Sequence, residues 1–262
     1  MAKRVKSKEL KEINSPRDNR KKWFRGFKKF IKLLGVYKKP EYIYLGKEFE
    51  RGSLIISNHV GSSGPLTLEL YMENPIRFWG TYEMNSGLKS VYKYLTTIYY
   101  PQKKGWKVPV AKIFGLIAAP VANLFYKGLN LISTYKDARF VKTVHQSLEA
   151  IKRGESIVVF PEDSSKGYFE ELTCFFAGFA MFADVCYKRG MDLPIYVTYL
   201  NKQDGKFLVD APIYYSEFVK QGKSRTEIAG ILLDRCNALG KMSRDGSYKN
   251  AHTEENQKQA LA

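Results

Sequence analysis

Two short, continuously apolar runs constrain the fold of this chain more than any other feature of its sequence. The first lies within residues 53–57 and the second within residues 156–160. Uninterrupted apolar runs of this length are typical of strands that are buried on both faces, as in a parallel sheet. Helical patterns separate the two runs, so we predict an α/β fold with a mixed central sheet flanked by helices.

The other predicted elements follow the same alternation. We predict further strands, the last two of them paired as a hairpin, at residues 41–45, 76–79, 194–200 and 207–211. We predict helices at residues 66–72, 87–97, 108–125, 140–153, 176–188 and 225–239. These elements make residues 40–243 the folded domain, between a disordered basic tail at residues 1–15 and a polar tail at residues 244–262.

A basic amphipathic helix is predicted at residues 16–39, ahead of the folded domain. Aromatic residues recur on one face and basic residues fill the other. The formal net charge is +17, and residues 1–40 contain 15 Lys or Arg but only 3 Asp or Glu. We therefore expect contact with an anionic membrane lipid surface through Trp23, Phe24, Phe27, Phe30, Arg25, Lys28 and Lys29. The alternative is a helix that packs its apolar face on the domain and leaves its lysines in water.

Composition disfavours several other classes of protein. No apolar stretch reaches the roughly 18–20 residues that span a bilayer; the nearest, at residues 113–126, is predicted to be a buried or interfacial helix. Three scattered cysteines and three distant histidines disfavour a disulfide framework and a structural zinc site. No nucleic-acid module is recognisable, so no nucleic-acid partner is expected. We expect a cytoplasmic protein, peripheral on the cytoplasmic face of a membrane.

The polar loops that follow the two apolar runs contain the candidate catalytic residues. Asn58 and His59 follow the first run, and Glu162 and Asp163 follow the second. If the two strands are parallel neighbours, both loops lie at one edge of the sheet, where sites gather in open α/β folds. An imidazole beside a carboxylate can act as an oriented general base. The alternative is a histidine that caps a helix, beside an acidic surface turn.

The sequences of these loops resemble those of a known family. The string SNHVGSSGPL, at residues 57–66, resembles the first block of the lysophospholipid (1-acylglycerol-3-phosphate-type) acyltransferases, and ESIVVFPEDSSKG, at residues 155–167, resembles their third. Residues 127–132 and 193–195 stand where the second and fourth blocks would be, so the resemblance covers roughly residues 40–215. It implies a glycerolipid acyltransferase-like fold.

The resemblance also implies a reaction. A fatty acyl group would pass from acyl-coenzyme A or acyl-carrier protein, as co-substrate and without another cofactor, to the hydroxyl of a lysophospholipid-type acceptor. His59 matches the general base and Glu162 the third-block glutamate. Gly64 stands where the family has an aspartate, so we predict that Asp163 orients the imidazole instead.

Other residues in the matching blocks or just beyond them are predicted to contact substrate, namely Asn58, Ser62, Ser164, Lys166, Lys136 and Arg139. Because the family aspartate is missing, a second hypothesis stays open. The chain would then be a catalytically weak or inactive protein with this fold that binds lipid.

Overall fold

A mixed sheet of eight strands forms the centre of the protein, described by a computed structural model for residues 20–35, 37–164 and 167–249. The strands are β1 (Glu41–Tyr44), β2 (Leu54–Ser57), β3 (Ile76–Thr81), β4 (Ile132–Thr134), β5 (Ser156–Val159), β6 (Pro194–Asn201), β7 (Lys206–Val209) and β8 (Ile213–Tyr214). The helices are α1 (Lys22–Leu33), α2 (Ser63–Tyr71), α3 (Leu88–Tyr94), α4 (Val108–Leu129), α5 (Phe140–Lys152), α6 (Gly178–Lys188), α7 (Tyr215–Lys220) and α8 (Arg225–Asp245). A π-helical segment, Leu95–Lys103, continues α3.

The strand order is β1-β7-β6-β2-β5-β3-β4, and β8 pairs with β6. Strands β6, β2, β5, β3 and β4 are parallel, whereas β7 runs antiparallel to β6. Strands β2 and β5 are neighbours, with Ile55 opposite Val158. The condition set for the candidate site, that the strands of the two apolar runs are parallel neighbours, is therefore met, and the loops that follow them meet at one edge of the sheet.

Both faces of the sheet are covered, which explains why the two apolar runs are uninterrupted. Leu54 and Ile157 point into a core that includes residues of α5, α6 and α8. Ile55 and Val158 point to the opposite face, where Phe24 of α1 is also buried. Because successive side chains of a strand alternate between faces, every position of β2 and β5 requires an apolar or small residue.

Helix α1 is shorter than the predicted range of residues 16–39 and is docked on the domain. Phe24 is fully buried, its ring 5.7 Å from that of Phe125 in α4. Its ring also fills the space beside Gly128, where a Cβ would lie 2.0 Å from the ring. This burial corrects the prediction that Phe24 contacts a membrane.

An ion-pair cluster connects α1, and Arg20 just ahead of it, to α2. Arg20 donates two hydrogen bonds to the Glu69 carboxylate, at 3.0 and 2.7 Å, and Lys28 lies 2.9 Å from the same carboxylate. The charge of Lys28 is therefore neutralised within the fold, against its predicted contact with anionic lipid. Trp23, Phe27 and Phe30 remain 41%, 36% and 54% exposed, and Arg25 and Lys29 are exposed beside them.

Helix α4 is longer than the predicted helix at residues 108–125 and extends beyond the predicted apolar stretch at residues 113–126. It has 22 residues, with a mean hydropathy of 1.7 over its most apolar window, and only 17% of that window is buried. By length and composition, it is the one helix in the described ranges that could cross a membrane. The predicted apolar stretch at residues 113–126 ends at Lys112 and Lys127, whereas the helix continues past both lysines.

Helix α8 also extends beyond its predicted end at residue 239. Helix α8 begins at a capping box, in which Ser224 and Glu227 satisfy each other's backbone N–H groups, and it continues to Asp245. Tyr248 is buried against the core. The folded domain therefore extends beyond residue 243, and the proposed tail at residues 1–15 falls outside the described residues.

Candidate functional site

The loop after β2 fixes the orientation of the His59 imidazole. Val60 and Gly61 both have positive φ angles, 47° and 66°, so the chain turns back on itself. The Gly61 carbonyl oxygen consequently accepts a hydrogen bond from the His59 ring nitrogen Nδ1. A carbonyl oxygen can only accept, so Nδ1 carries the proton and the lone pair is on Nε2. A β-branched residue such as Val60 rarely adopts positive φ, which is typical of a constrained functional loop.

The surroundings of His59 keep its ring neutral. The ring packs between Phe160 and Tyr168, with centroid distances of 4.8 and 4.9 Å. Burial lowers the pKa of His59 to about 4, and the positive charge of Lys103 acts in the same direction. The imidazole is therefore unprotonated at neutral pH and able to accept a proton at Nε2.

Glu162 stabilises the backbone of the same loop. The side chain is buried, and its Oε1 accepts a hydrogen bond from the His59 backbone N–H at 3.1 Å. Burial raises the pKa of this carboxyl to about 7, although the His59 N–H and the Lys103 charge act in the opposite direction. The carboxylate thus holds the backbone of the loop, while the ring is oriented by Gly61.

Asp163 is exposed, and its backbone N–H donates to the Cys174 carbonyl oxygen at 3.1 Å. Burial lowers the pKa of Lys103, and the charges of Glu162 and Asp163 act in the opposite direction. The orienting role of Asp163 stays a prediction. The tautomer of His59 does not require it, because the Gly61 carbonyl oxygen already fixes the proton on Nδ1.

The close packing at Gly64 explains why no aspartate stands there. A Cβ at this position would lie 2.5 Å from the His59 carbonyl oxygen and 3.0 Å from that of Asn58. No side chain fits without displacement of the loop that follows β2. Gly64→Asp therefore cannot substitute for another carboxylate in the present loop conformation.

Asn58 has a structural role. Its side-chain nitrogen donates to the Leu200 carbonyl oxygen at 3.1 Å, and its Oδ1 accepts from the Leu200 N–H at 2.8 Å. The residue is only 2% exposed. Both polar ends of the side chain are thus occupied by β6, which corrects the prediction that Asn58 contacts substrate.

A cavity of about 1290 Å³ extends from His59 to the space between α1 and α4. Trp23 and Phe27 contribute to its wall from α1, and Ile117 and Val121 from α4. The volume exceeds the usual several hundred to about 1000 Å³ of small-ligand sites. Four of the predicted substrate-binding residues also line this cavity, namely Ser62, Ser164, Lys136 and Arg139.

The positive groups of the cavity differ in their environments. Arg139 is exposed, pairs with Asp137 at 2.7 Å and lies over the Tyr135 ring at 4.6 Å. Lys136 lies over the Phe176 ring at 5.8 Å. Lys166, predicted to bind substrate, lies outside the described residues.

Lys103 and Tyr168 line the cavity beside His59, although neither belongs to a sequence block. The Lys103 ammonium donates to the Ser164 hydroxyl at 2.7 Å, and burial lowers its pKa. The π-helical segment brings this lysine to the site, about 40 residues away in sequence from His59. Only the basic character of residues 103–107 hinted at its presence.

Comparison with known proteins assigns no family. No model of a protein family matches this chain, and no curated protein sequence matches it. The function is therefore argued from the geometry of the cavity and from the residues that surround His59.

Proposed function

We propose that this protein is an O-acyltransferase that moves a fatty acyl group from an acyl thioester to the hydroxyl of a lysophospholipid-type acceptor. One observation supports the proposal: the neutral, oriented imidazole of His59 lines a large, mostly apolar cavity. The resemblance of residues 57–66 and 155–167 to acyltransferase blocks adds to it.

In the proposed reaction, Nε2 of His59 removes the proton of the acceptor hydroxyl as its oxygen attacks the thioester carbonyl. An ester C–O bond forms, the C–S bond breaks, and the imidazolium returns its proton to the departing thiolate. The Gly61 carbonyl holds the ring throughout, and Glu162 holds the loop. The apolar part of the cavity accommodates acyl chain.

An anionic acceptor suits the positive groups of the cavity wall. Lys103, Lys136 and Arg139 all line the cavity. A phosphate bound near Lys103 would offset the charge that lowers the basicity of His59. Binding of the acceptor would in this way make His59 a stronger base.

The proposed location is the cytoplasmic face of a membrane containing anionic lipid. On α1, Trp23, Phe27 and Phe30 are exposed next to Arg25 and Lys29. Aromatic side chains beside basic ones are typical of helices at the membrane interface.

A second function, lipid binding without efficient catalysis, is favoured by one observation. A pKa of about 4 makes His59 a weak base. General bases work best when their pKa lies near the working pH.

Turnover by purified protein tests the first function against the second. Thiol release from acyl-coenzyme A is measured with a panel of lysophospholipids and neutral alcohols. We expect His59→Ala to lower turnover by about 10²- to 10⁴-fold, the usual contribution of a positioned base. His145→Ala, an exposed histidine on α5, is the matched control and should retain turnover. Equal activity in both variants would refute the assignment; acyl binding without turnover by any acceptor would favour the second function.

A further inference from the structure

Helix α4 places its large apolar side chains on the outside and its small ones on the inside. Ile113, Leu116 and Ile117 are 71%, 65% and 74% exposed. Ala119 and Gly115 lie on the buried side. Helices of water-soluble domains have the opposite arrangement, with the largest apolar residues toward the core. Small residues at helix contacts and large ones outside are typical of helices surrounded by lipid.

The buried side of α4 is a close-packed seam. A Cβ at Gly115 would lie 2.5 Å from the Thr96 methyl group and 3.2 Å from the Tyr92 ring. Farther along, Gly128 is in contact with Phe24 of α1. Because the domain occupies one side of α4 from its first turns to its end, only the other side is available to a partner. This arrangement suits a helix that lies in the plane of a membrane rather than one that crosses it.

The basic residues around α4 indicate which kind of partner its apolar face contacts. Residues 84–136 contain eight Lys and no Asp or Glu. Lys107, Lys112 and Lys127 are exposed on or next to the helix. A basic surround to an apolar face is complementary to the headgroups and acyl chains of an anionic bilayer.

The outward face is continuous with α1 and with the cavity. The rings of Phe27 in α1 and Phe125 in α4 lie 6.2 Å apart. Ile117 and Val121 are both exposed and part of the cavity wall. The cavity therefore reaches the same surface that carries the exposed apolar residues.

We propose that the outward face of α4 docks in the plane of an anionic lipid bilayer, so that the cavity receives lipid directly from the membrane. The docking is independent of acyl transfer, whereas the route of the acceptor rests on the proposed function. At about 1.5 Å per residue, α4 presents a face about 33 Å long to the bilayer. Together with α1 it forms the membrane-facing side of the protein.

Flotation of the full chain with vesicles tests the docking. The probes are vesicles of phosphatidylcholine with and without phosphatidylglycerol. Ile113→Glu with Leu116→Glu adds two charges to the outward face at residues that do not line the cavity. We expect the partition coefficient on anionic vesicles to fall at least about tenfold, since two charged groups would replace two apolar side chains that docking buries in the bilayer.

The matched control adds the same charges elsewhere. Val141→Glu with Val219→Glu changes residues that are 67% and 44% exposed on α5 and α7. The control should float like the native chain, and both double variants should melt like it. His59→Ala should also float normally, so a failure of the proposed reaction is distinguishable from a failure of docking.

Equal flotation of the α4 variant and the control would overturn the proposal. It would also be overturned if the native chain did not float and instead formed dimers that the α4 substitutions dissociate. That result would assign the face to a second copy of the chain.

Discussion

The His59 imidazole responds to the charge of a residue far away in sequence. Burial lowers its pKa, and Lys103 contributes in the same direction. We predict that Lys103→Met raises the pKa of His59, because a nearby positive charge disfavours the imidazolium. The pKa is measured by NMR titration of the ring. Lys104→Met, which removes a neighbouring charge that lies over Tyr99, is the control and should leave the titration nearly unchanged. The same effect from both variants would show that long-range charge alone is responsible.

Gly64 is required by the conformation of the loop that follows β2. A Cβ there would come within 2.5 Å of the His59 carbonyl oxygen. We therefore predict that Gly64→Ala destabilises the protein by about 1–3 kcal/mol, the usual cost of overpacking. Denaturant unfolding measures the change. Gly230→Ala in α8, where no heavy atom lies within 4 Å, should be neutral or stabilise by up to about 1 kcal/mol. A neutral Gly64→Ala would mean that the loop relaxes easily.

At the scale of elements, α1 is part of the folded core rather than a detachable anchor. Phe24 and Gly128 are in direct contact, and Arg20 is bonded to Glu69. Removal of residues 1–37 would therefore expose buried surface as well as remove basic charge. Point substitutions on exposed positions are the appropriate test of membrane contact.

The contact between α1 and α4 predicts a measurable coupling. Phe24→Ala should cost about 3–5 kcal/mol by loss of a buried aromatic ring. Gly128→Ala should destabilise the native chain because its Cβ would lie 2.0 Å from that ring, but should cost much less in the Phe24→Ala background. Unfolding of the double-mutant cycle measures this difference. Gly26→Ala, on α1 with no heavy atom within 4 Å, is the control and should show no coupling to Phe24. Additive effects of Phe24→Ala and Gly128→Ala would contradict the packing.

For the whole molecule, two groups of the site give opposite dependences of stability on pH. His59 has a folded pKa of about 4 against an ordinary 6.5, so the unfolded chain binds more protons in that range and stability rises with pH. Glu162 has a folded pKa of about 7 against an ordinary 4.5, so the folded chain binds more protons and stability falls as pH rises. Each group changes the free energy of unfolding by at most about 3 kcal/mol. The two contributions largely cancel between about pH 4.5 and 6.5, where both groups titrate in one of the two states.

Single substitutions should separate these contributions. Relative to the native chain, His59→Ala should lose stability as pH rises from about 4.5 to 6.5, because it lacks the contribution of His59, which increases with pH. Glu162→Gln should gain stability over the same interval. Denaturant unfolding at several pH values measures both slopes, and the comparison with the native chain removes contributions from other groups. Parallel slopes in the two variants would contradict the assigned environments.

The sequence by itself predicted six of the eight strands and the edge of the sheet where the candidate site lies, but it predicted neither β4 nor β8. The continuous apolar runs predicted β2 and β5 because a strand covered on both faces cannot alternate, and parallel neighbours must place His59 and Glu162 at one edge. Helical periodicity likewise located α5 and α6 closely. These features depend on local patterns that hold in any packing of the chain.

Only the tertiary structure decided what covers each apolar face and what contacts each polar group. Periodicity marked Phe24 as apolar, but its burial depends on Gly128, about 100 residues away. The orientation of His59 depends on positive φ at Val60 and Gly61, and Gly64 packs closely against the His59 carbonyl oxygen of the same loop. Lys103 reaches the site through the fold alone. Contacts between distant segments follow from topology, and the pattern of a single segment does not contain them.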